Sequence, residues 1–223
     1  MIAYVRSFSR FIAYFLSPPR CSFCKQSLSE RVVFCKTCQD FIRPIVSCSL
    51  AISPHTTMNV LSVSEYHDPL KTLIMAKRWS DRIASRQLGQ IIWEQTGIRH
   101  MQFDYIIPIP LHWSRYTSRG FNQAWEIAEV IASRSGKPLA DILYRTRRTV
   151  FQSYMSRAQR ADNVKSVFQC KVSNTQHLYH HKKLLLVDDV MTTGSTLRAA
   201  AKTLMMLRPT RLTAAVGCRV LAK

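Results

Sequence analysis

Leu184-Leu185-Leu186-Val187-Asp188-Asp189-Val190-Met191-Thr192-Thr193-Gly194-Ser195-Thr196-Leu197 is the stretch whose reading decides the fold. Its first four residues form an unbroken apolar run after the basic residues His180 to Lys183. A short run of this kind reads as a strand buried on both faces, which is how strands of a parallel sheet are written. The strand delivers two adjacent carboxylates to its carboxyl end. A tight, hydroxyl-rich turn with one glycine follows, and then helical spacing from Leu197 to Leu207, stopped by Pro209. Backbone N–H groups of such a turn and helix start, with the hydroxyls of Thr192, Thr193, Ser195 and Thr196, make a site for a monoester phosphate. Asp188 and Asp189 can accept hydrogen bonds from vicinal hydroxyls or help hold a hydrated Mg²⁺. An acid pair followed by a phosphate loop therefore fits a ribose 5-phosphate group. A triphosphate loop needs G-x-x-x-x-G-K-[ST], and a dinucleotide site needs three glycines; neither is present. One cap residue suffices to start a helix, so four hydroxyls are more than capping requires.

Outward from this stretch the same alternation continues. Tyr105 to Ile109 is a short apolar run closed by Pro108-Ile109-Pro110, which predicts a buried strand and then a loop. Phe121 to Ile131 carries apolar residues at helical spacing, and Leu212 to Val216 is a further strand. Strands alternating with helices predict an α/β fold with a parallel sheet flanked by helices. Ligands then bind beyond the carboxyl ends of the strands. The loops after Val187 and after Ile109 should share that rim. Between them, Tyr144 to Phe168 is long and polar, with six Lys/Arg against one acid, Asp162. A segment of this kind inside a compact domain is functional or mobile.

Cys21-x-x-Cys24, ten residues, and Cys35-x-x-Cys38 form the other motif. Each C-x-x-C turn can aim two thiolates at one ion, so two turns complete a tetrahedral sulfur site. Structural zinc in a small ribbon is the expectation; an iron–sulfur cluster and two redox pairs are the alternatives. Four thiolates leave no open position for water, so the metal would hold together a module too small for its own core. Cys48, Cys170 and Cys218 are scattered. The pattern reads as reduced and cytosolic rather than as a secreted disulfide framework. Lys25, Arg31, Lys36 and Arg43 around the cluster are either nucleic-acid contacts or solvated charge.

The chain has 223 residues and 47% hydrophobic content, enough for a real core. Lys and Arg number 32 against 13 acids, a formal net charge of +19. Such a bias favours polyanionic partners: nucleic acid, phosphorylated small molecules or an anionic membrane face. No apolar run approaches the ~18 residues needed to span a bilayer. The aromatic and basic start, Met1 to Leu16, is broken by Arg6 and Arg10 and followed by Pro18-Pro19-Arg20, a poor secretory signal. It is expected to be an amphipathic helix docking on the domain or on a membrane surface.

The 184–197 stretch resembles the phosphoribosyl pyrophosphate motif of type I phosphoribosyltransferases. That resemblance implies that Asp188 and Asp189 contact the ribose hydroxyls and that Met191, Thr192, Thr193, Gly194, Ser195 and Thr196 hold the 5-phosphate. It also implies that the loop after the first strand, with Pro110, Leu111, His112 and Arg115, binds pyrophosphate. Arg119 and Asn122 either reach the same anion or serve as N-terminal cap and surface charge. The basic segment 145–163 would be a loop closing over substrate, bringing Arg145, Arg147 or Arg157 to the leaving pyrophosphate. On this reading Asp188, Asp189, Arg145 and Arg157 are the catalytic residues, with Mg²⁺ as cofactor. Tyr66, Trp79 and Trp93 are either base-stacking residues or core aromatics.

Pro108-Ile109-Pro110-Leu111-His112, Arg115, Arg119-Gly120-Phe121-Asn122-Gln123-Ala124, and the stretch from Arg145 through Met155-Ser156-Arg157 to Phe168 are similar to the signature of the ComF/GntX competence family. Met155 and Trp113-Ser114 are small departures from its pattern. The order of a four-cysteine module before a phosphoribosyltransferase-like domain agrees. The division expected is 1–48 for the start and zinc module and 49–223 for the phosphoribosyltransferase-like domain, with 49–100 as its hood or connecting region. The resemblance implies a role in DNA uptake during natural transformation, on the cytoplasmic side, peripheral to the inner membrane face. Single-stranded DNA, phosphoribosyl pyrophosphate and DNA-uptake proteins are the implied partners. Two further uses of the same fold stay open: a phosphoribosyltransferase acting on an unidentified acceptor, and phosphoribosyl pyrophosphate as a regulatory ligand.

Overall fold

Four strands run parallel through the centre of the molecule and a fifth closes one edge. They are β1 (Cys48–Ser53), β2 (Thr56–Glu65), β3 (Tyr105–Pro108), β6 (Lys183–Met191) and β7 (Arg211–Arg219), in the order β1-β2-β7-β6-β3. Only β1 is antiparallel, hairpinned onto β2. A second, two-stranded antiparallel ribbon joins β4 (Leu143–Arg145) to β5 (Phe168–Cys170). The computed structural model describes residues 19–30, 32–42, 47–71, 82–111, 120–146, 167–171 and 176–220.

The apolar run in β6 explains the layering. Successive strand side chains point to opposite faces, and all four of Leu184, Leu185, Leu186 and Val187 are buried. Leu184 and Leu186 pack with Leu197, Ala200, Ala201 and Leu204 of helix α4 (Ser195–Leu204). Leu185 and Val187 pack with Leu88, Ile91 and Ile92 of α2 (Arg82–Gln95) and with Ile127, Ala128 and Ile131 of α3 (Gln123–Ser135). The β4–β5 ribbon lies against α4, where the Thr203 hydroxyl donates to the Phe168 carbonyl at 3.2 Å.

Several elements extend past their sequence-based limits. The strand expected over 184–187 continues to Met191, because Asp188, Val190 and Met191 remain in register with Val216, Cys218 and Arg219 of β7. Both acids therefore belong to the strand itself. The helix expected over 197–207 is α4 followed by a tighter turn over Met205–Leu207, ended by Arg208 in the left-handed region (φ 46°). Residues 48–65, in the stretch read as a hood or connecting region, supply β1 and β2 to the sheet. That hairpin gives β7 its second neighbour and buries Met58, Val60 and Val63.

The cysteine module is welded to α2. The Gln87 side chain, buried on α2, accepts from the backbone N–H of Val33 at 2.5 Å and Phe34 at 3.1 Å, and donates to the Phe34 carbonyl at 3.2 Å. Gln95 donates to the Gln39 carbonyl at 3.2 Å. Phe34, Val33 and Ile42 share one apolar cluster with Leu88, Ile91 and Ile92. The module thus borrows its core from the sheet domain. The start, Met1 to Leu16, lies outside the described residues.

Candidate functional site

β3 and β6 end side by side. Pro108 is in register with Val187, and the Ile109 N–H donates to the Val187 carbonyl at 2.9 Å. Pro110 and Leu111 therefore share a rim with Asp188, Asp189 and the loop that follows them. His112, Arg115, Arg119 and Arg157 lie outside the described residues. Arg147 and Trp79 do too.

Asp188 and Asp189 are half-buried at this rim. The Asp189 N–H donates to Asp188 Oδ1 at 2.9 Å, and the Val190 N–H to Asp189 Oδ1 at 2.8 Å. Each carboxylate thus spends one oxygen on the backbone. Desolvation, and then the neighbouring Asp189 charge, push the Asp188 carboxyl well above the ordinary carboxylate range. The Asp189 backbone N–H and the Arg145 guanidinium pull the other way. Arg145, at the end of β4, thus acts on the acid pair, with its guanidinium 5.6 Å from the Phe168 ring centroid.

A carboxyl raised in this way binds its proton more tightly folded than unfolded. Its stabilising contribution is full below the ordinary value of about 3.9 and is lost as pH rises through the raised folded value. Asp188→Asn should therefore melt with wild type in acid and a few degrees above it at neutral pH. A variant that melts below wild type at neutral pH would refute this. Ionising this carboxyl costs stability, as is common at binding sites.

The loop after β6 is shaped for an anion. Gly194 caps α4 from the left-handed region (φ 73°) and, having no side chain, makes no side-chain cap bond to the first turn. Thr192, Thr193 and Ser195 are exposed, and Thr196 is half-buried. The Ser195 N–H leans on Thr193 Oγ1 at 3.4 Å, a weak bond a ligand could replace. First-turn N–H groups under a ring of hydroxyls attract phosphate. Met191 is buried and contributes its backbone to the strand, not its side chain to the loop.

Beside Pro110 and Leu111 lies a cleft of about 470 Å³, which Phe121 and Trp125 help to line. Its inner wall is an ion-pair cluster. The buried Glu126 meets Arg82 Nε at 3.5 Å and Arg86 Nε at 3.2 Å, and Arg86 also pairs with Glu129 at 3.0 Å. Asn122, a candidate anion ligand from sequence, is otherwise engaged. Its Oδ1 accepts from the Ala124 N–H at 3.1 Å and its amide donates to the Ile109 carbonyl at 2.9 Å. It caps α3 and ties that helix to the rim. Tyr66 and Trp93 pack against the apolar core.

Sequence reading missed three residues at the rim. Arg219 ends β7 opposite Met191, and its buried Nε has no hydrogen-bond partner among the described residues. Gly217 lets β7 and Leu88 approach the Asp189 carbonyl. Cys218 is buried beside Asp189; burial first, then that charge, pushes its thiol up to about 12. None belongs to a motif; only the strand register brings them to the acids.

The four cysteines converge. Their sulfur atoms lie within 4.8 Å of one another, with Cys24 and Cys35 3.6 Å apart. A zinc–sulfur bond of ~2.3 Å in a tetrahedron sets sulfurs ~3.8 Å apart, so the donor set fits such an ion. Backbone amides already serve the sulfurs: the Cys35 N–H points at Cys21 Sγ and the Cys38 N–H at Cys35 Sγ, each at 3.4 Å. Burial raises the Cys21 thiol, but the Cys35, Cys24 and Phe23 amides outweigh it and hold it at about 6. Burial and the neighbouring cysteines raise Cys38.

Residues 119–223 match the family described as the phosphoribosyl transferase domain. Competence protein F of Haemophilus influenzae is 30% identical over 196 residues, covering 85% of this chain and 80% of that protein. This chain belongs to the competence protein F (ComF) family. A further relative of this ComF chain, the DNA utilization protein YhgH of Salmonella typhimurium, is 28% identical over 207 residues, 89% of this chain and 88% of its own. Among solved structures, the glutamine phosphoribosylpyrophosphate amidotransferase of B. subtilis matches 59% of this chain and 25% of its own, at 18% identity and a TM-score of 0.41. The α/β sheet with flanking helices and the N-terminal cysteine cluster accord with the fold expected from sequence. No helix among the described residues is long and apolar enough to cross a membrane.

Proposed function

We propose that this ComF protein supports DNA uptake in natural transformation, binding phosphoribosyl pyrophosphate at the rim beyond β3 and β6 and single-stranded DNA elsewhere. One observation carries the ligand reading: two half-buried carboxylates on β6 lead directly into an α4 start that its N-cap, Gly194, leaves without a side-chain cap. Asp188 and Asp189 take the ribose hydroxyls, and the 192–196 loop takes the 5-phosphate. The loop at Pro110 and Leu111, with His112, Arg115 and Arg119, takes the pyrophosphate. Mg²⁺ at the acid pair would neutralise pyrophosphate charge. The net charge of +19 supports a polyanionic partner. Zinc held by Cys21, Cys24, Cys35 and Cys38 locks the cysteine module onto the sheet domain. The protein works on the cytoplasmic side, at the inner membrane face and with DNA-uptake proteins.

The same geometry supports a second reading, transfer of ribose 5-phosphate to an acceptor. There the C1–oxygen bond to pyrophosphate breaks, the acceptor bonds C1, and an oxocarbenium-like transition state lies between. Such chemistry needs no protein nucleophile. It needs cations at the leaving group, a role for Arg145, whose charge favours the ionised form of Asp188, and for Arg157. A third reading makes phosphoribosyl pyrophosphate a regulator of DNA binding.

Calorimetric titration of phosphoribosyl pyrophosphate with Mg²⁺ tests the site. Wild type should bind saturably, and Asp188→Ala/Asp189→Ala should lose that heat while melting as a folded protein. Absence of binding to folded, zinc-loaded wild type would remove the ligand site and leave DNA binding as the function. Pyrophosphate release on adding nucleobases or nucleosides would favour the transferase reading.

A further inference from the structure

The opposite ends of the strands carry a different chemistry. β6 begins at Lys183, in register with Arg211 at the start of β7. Lys182 precedes it, and its carbonyl accepts from the Thr210 N–H at 3.1 Å. Arg208 turns the chain from the α4 side into β7, and the Leu207 carbonyl accepts from the His181 N–H at 3.3 Å. Across residues 97–105, 179–183 and 205–211 there are five Lys/Arg and one acid, Asp104. That carboxylate already accepts from the Lys183 N–H at 2.8 Å.

These cations are not consumed by the fold. Arg99, Lys182, Arg208 and Arg211 are exposed, and none of the five is ion-paired among the described residues. Lys183 Nζ meets only the neutral Gln102 side chain, at 2.5 Å. On other surfaces Lys36, Arg82, Arg86 and Lys171 meet carboxylates, while the exposed Lys25, Arg134, Lys137 and Lys202 have no ion pair among the described residues. Arg99 and Arg208 stand at the ends of helical turns, where a cation complements the dipole. Lys182, Lys183 and Arg211 stand at strand starts, where no dipole calls for them. Solubility asks for interspersed charge of both signs, whereas this rim sets five cations against one acid.

The same rim offers more than charge. A polar cleft of about 490 Å³ opens beside Arg211, lined by Thr56, Thr57, Asn59 and Thr210 among others. Tyr179, half-buried, stands edge-on to Tyr105 with ring centroids 4.8 Å apart, and the exposed His181 stands 5.9 Å from His180. A polar groove with Arg211 at its edge, four further cations on the same rim and the exposed His181 ring suit a strand whose bases are free to stack; a duplex hides its base faces.

We propose that this amino-terminal rim is the single-strand nucleic-acid interface, on the far side of the sheet from the phosphoribosyl pyrophosphate rim. The inference rests on the proposed DNA-binding role and assigns where the strand lies. β6 has nine residues. At ~3.3 Å per residue the two rims stand roughly 25–30 Å apart, beyond the reach of a sugar phosphate. Both ligands are then held at once, and neither displaces the other.

The test compares two full-length variants of equal charge change, Lys182→Gln/Arg211→Gln on the rim and Lys25→Gln/Lys36→Gln in the cysteine module. Each is titrated with labelled oligothymidylate across a salt series, after its melting temperature has been matched to wild type. Removing two single-strand phosphate contacts should flatten the slope of log affinity against log salt by about 1.4. The rim variant should show that loss and the module variant should not. Saturating phosphoribosyl pyrophosphate should leave oligothymidylate bound to wild type. A rim variant with the wild-type slope overturns the location while the DNA-binding role stands. So does loss confined to the module variant, or displacement by phosphoribosyl pyrophosphate. Wild type that prefers duplex, or that binds anionic vesicles but no oligonucleotide, overturns the DNA reading itself.

Discussion

Cys38→Ser is expected to strip the protein of its metal and lower its melting temperature by about 8–16 °C, the equivalent of ~4 kcal/mol for a chain of this size. Cys38 is buried within the cluster, and its N–H is committed to Cys35 Sγ. A serine oxygen cannot replace a thiolate as a zinc ligand, and the remaining sulfurs are too close together to stay ionised without a cation. The loss does not stop at the module. Gln87 of α2 accepts from Val33 and Phe34, and Phe34 is fully buried against α2. If the module frays, a buried amide loses its partners and Leu88 and Ile91 lose a neighbour; each unpaired polar group alone costs roughly 1–3 kcal/mol. Elemental analysis should find about one zinc per wild-type chain and none in the variant, and a chelator should bring wild type down to the variant's melting temperature. Metal-free wild type that melts unchanged would sink the structural-zinc reading and leave four reduced thiols packed for their own sake.

The features legible in the sequence are those written in contiguous residues. The apolar run at 184–187 gave a doubly covered strand, and its four side chains are indeed shared between the α4 layer and the α2–α3 layer. The two C-x-x-C turns gave a convergent cluster, because each turn fixes its pair locally and only one further closure is needed. What escaped depends on distant pairing. Nothing around Gln87 in α2 announces that its amide holds Val33, 54 residues away. The hairpin of residues 48–65 reads as connecting chain, since its polar face carries Ser, Thr and Asn. It becomes a sheet edge only because β7 is already there to receive Val60 beside Ala214. Asn122 looked like an anion ligand because a capping amide and a ligand amide are the same chemistry; its two bonds to Ala124 and Ile109 decide between them. The cationic excess at the strand starts is invisible along the chain as well. Arg99, Lys182 and Arg211 come from three separate turns, and the parallel register assembles them.

Gly217→Ala should couple the core to the ligand rim and cost about 2–3 kcal/mol, or a melting temperature lower by roughly 5–10 °C. A methyl group there would stand 2.5 and 2.8 Å from the Leu88 side-chain methyls and 2.9 Å from the Asp189 carbonyl oxygen. The first two contacts are with the end of a side chain; the third is with the backbone of the strand that carries the acid pair. Leu88 is buried on α2 and cannot turn away without opening a void. Asp189 cannot retreat without shifting the carboxylate that its own oxygen ties to Val190. The two strains separate in a double-mutant cycle. Leu88→Ala alone should cost ~2–5 kcal/mol through its cavity. Combined with Gly217→Ala it should cost at least ~1 kcal/mol less than the sum, because the new methyl fills part of that space. Affinity for phosphoribosyl pyrophosphate should stay low in the double variant, since the contact with the Asp189 carbonyl persists. Strict additivity would mean that residues 88 and 217 do not meet. Recovery of affinity in the double variant would mean that the leucine alone, not the strand backbone, transmits the change to the acid pair.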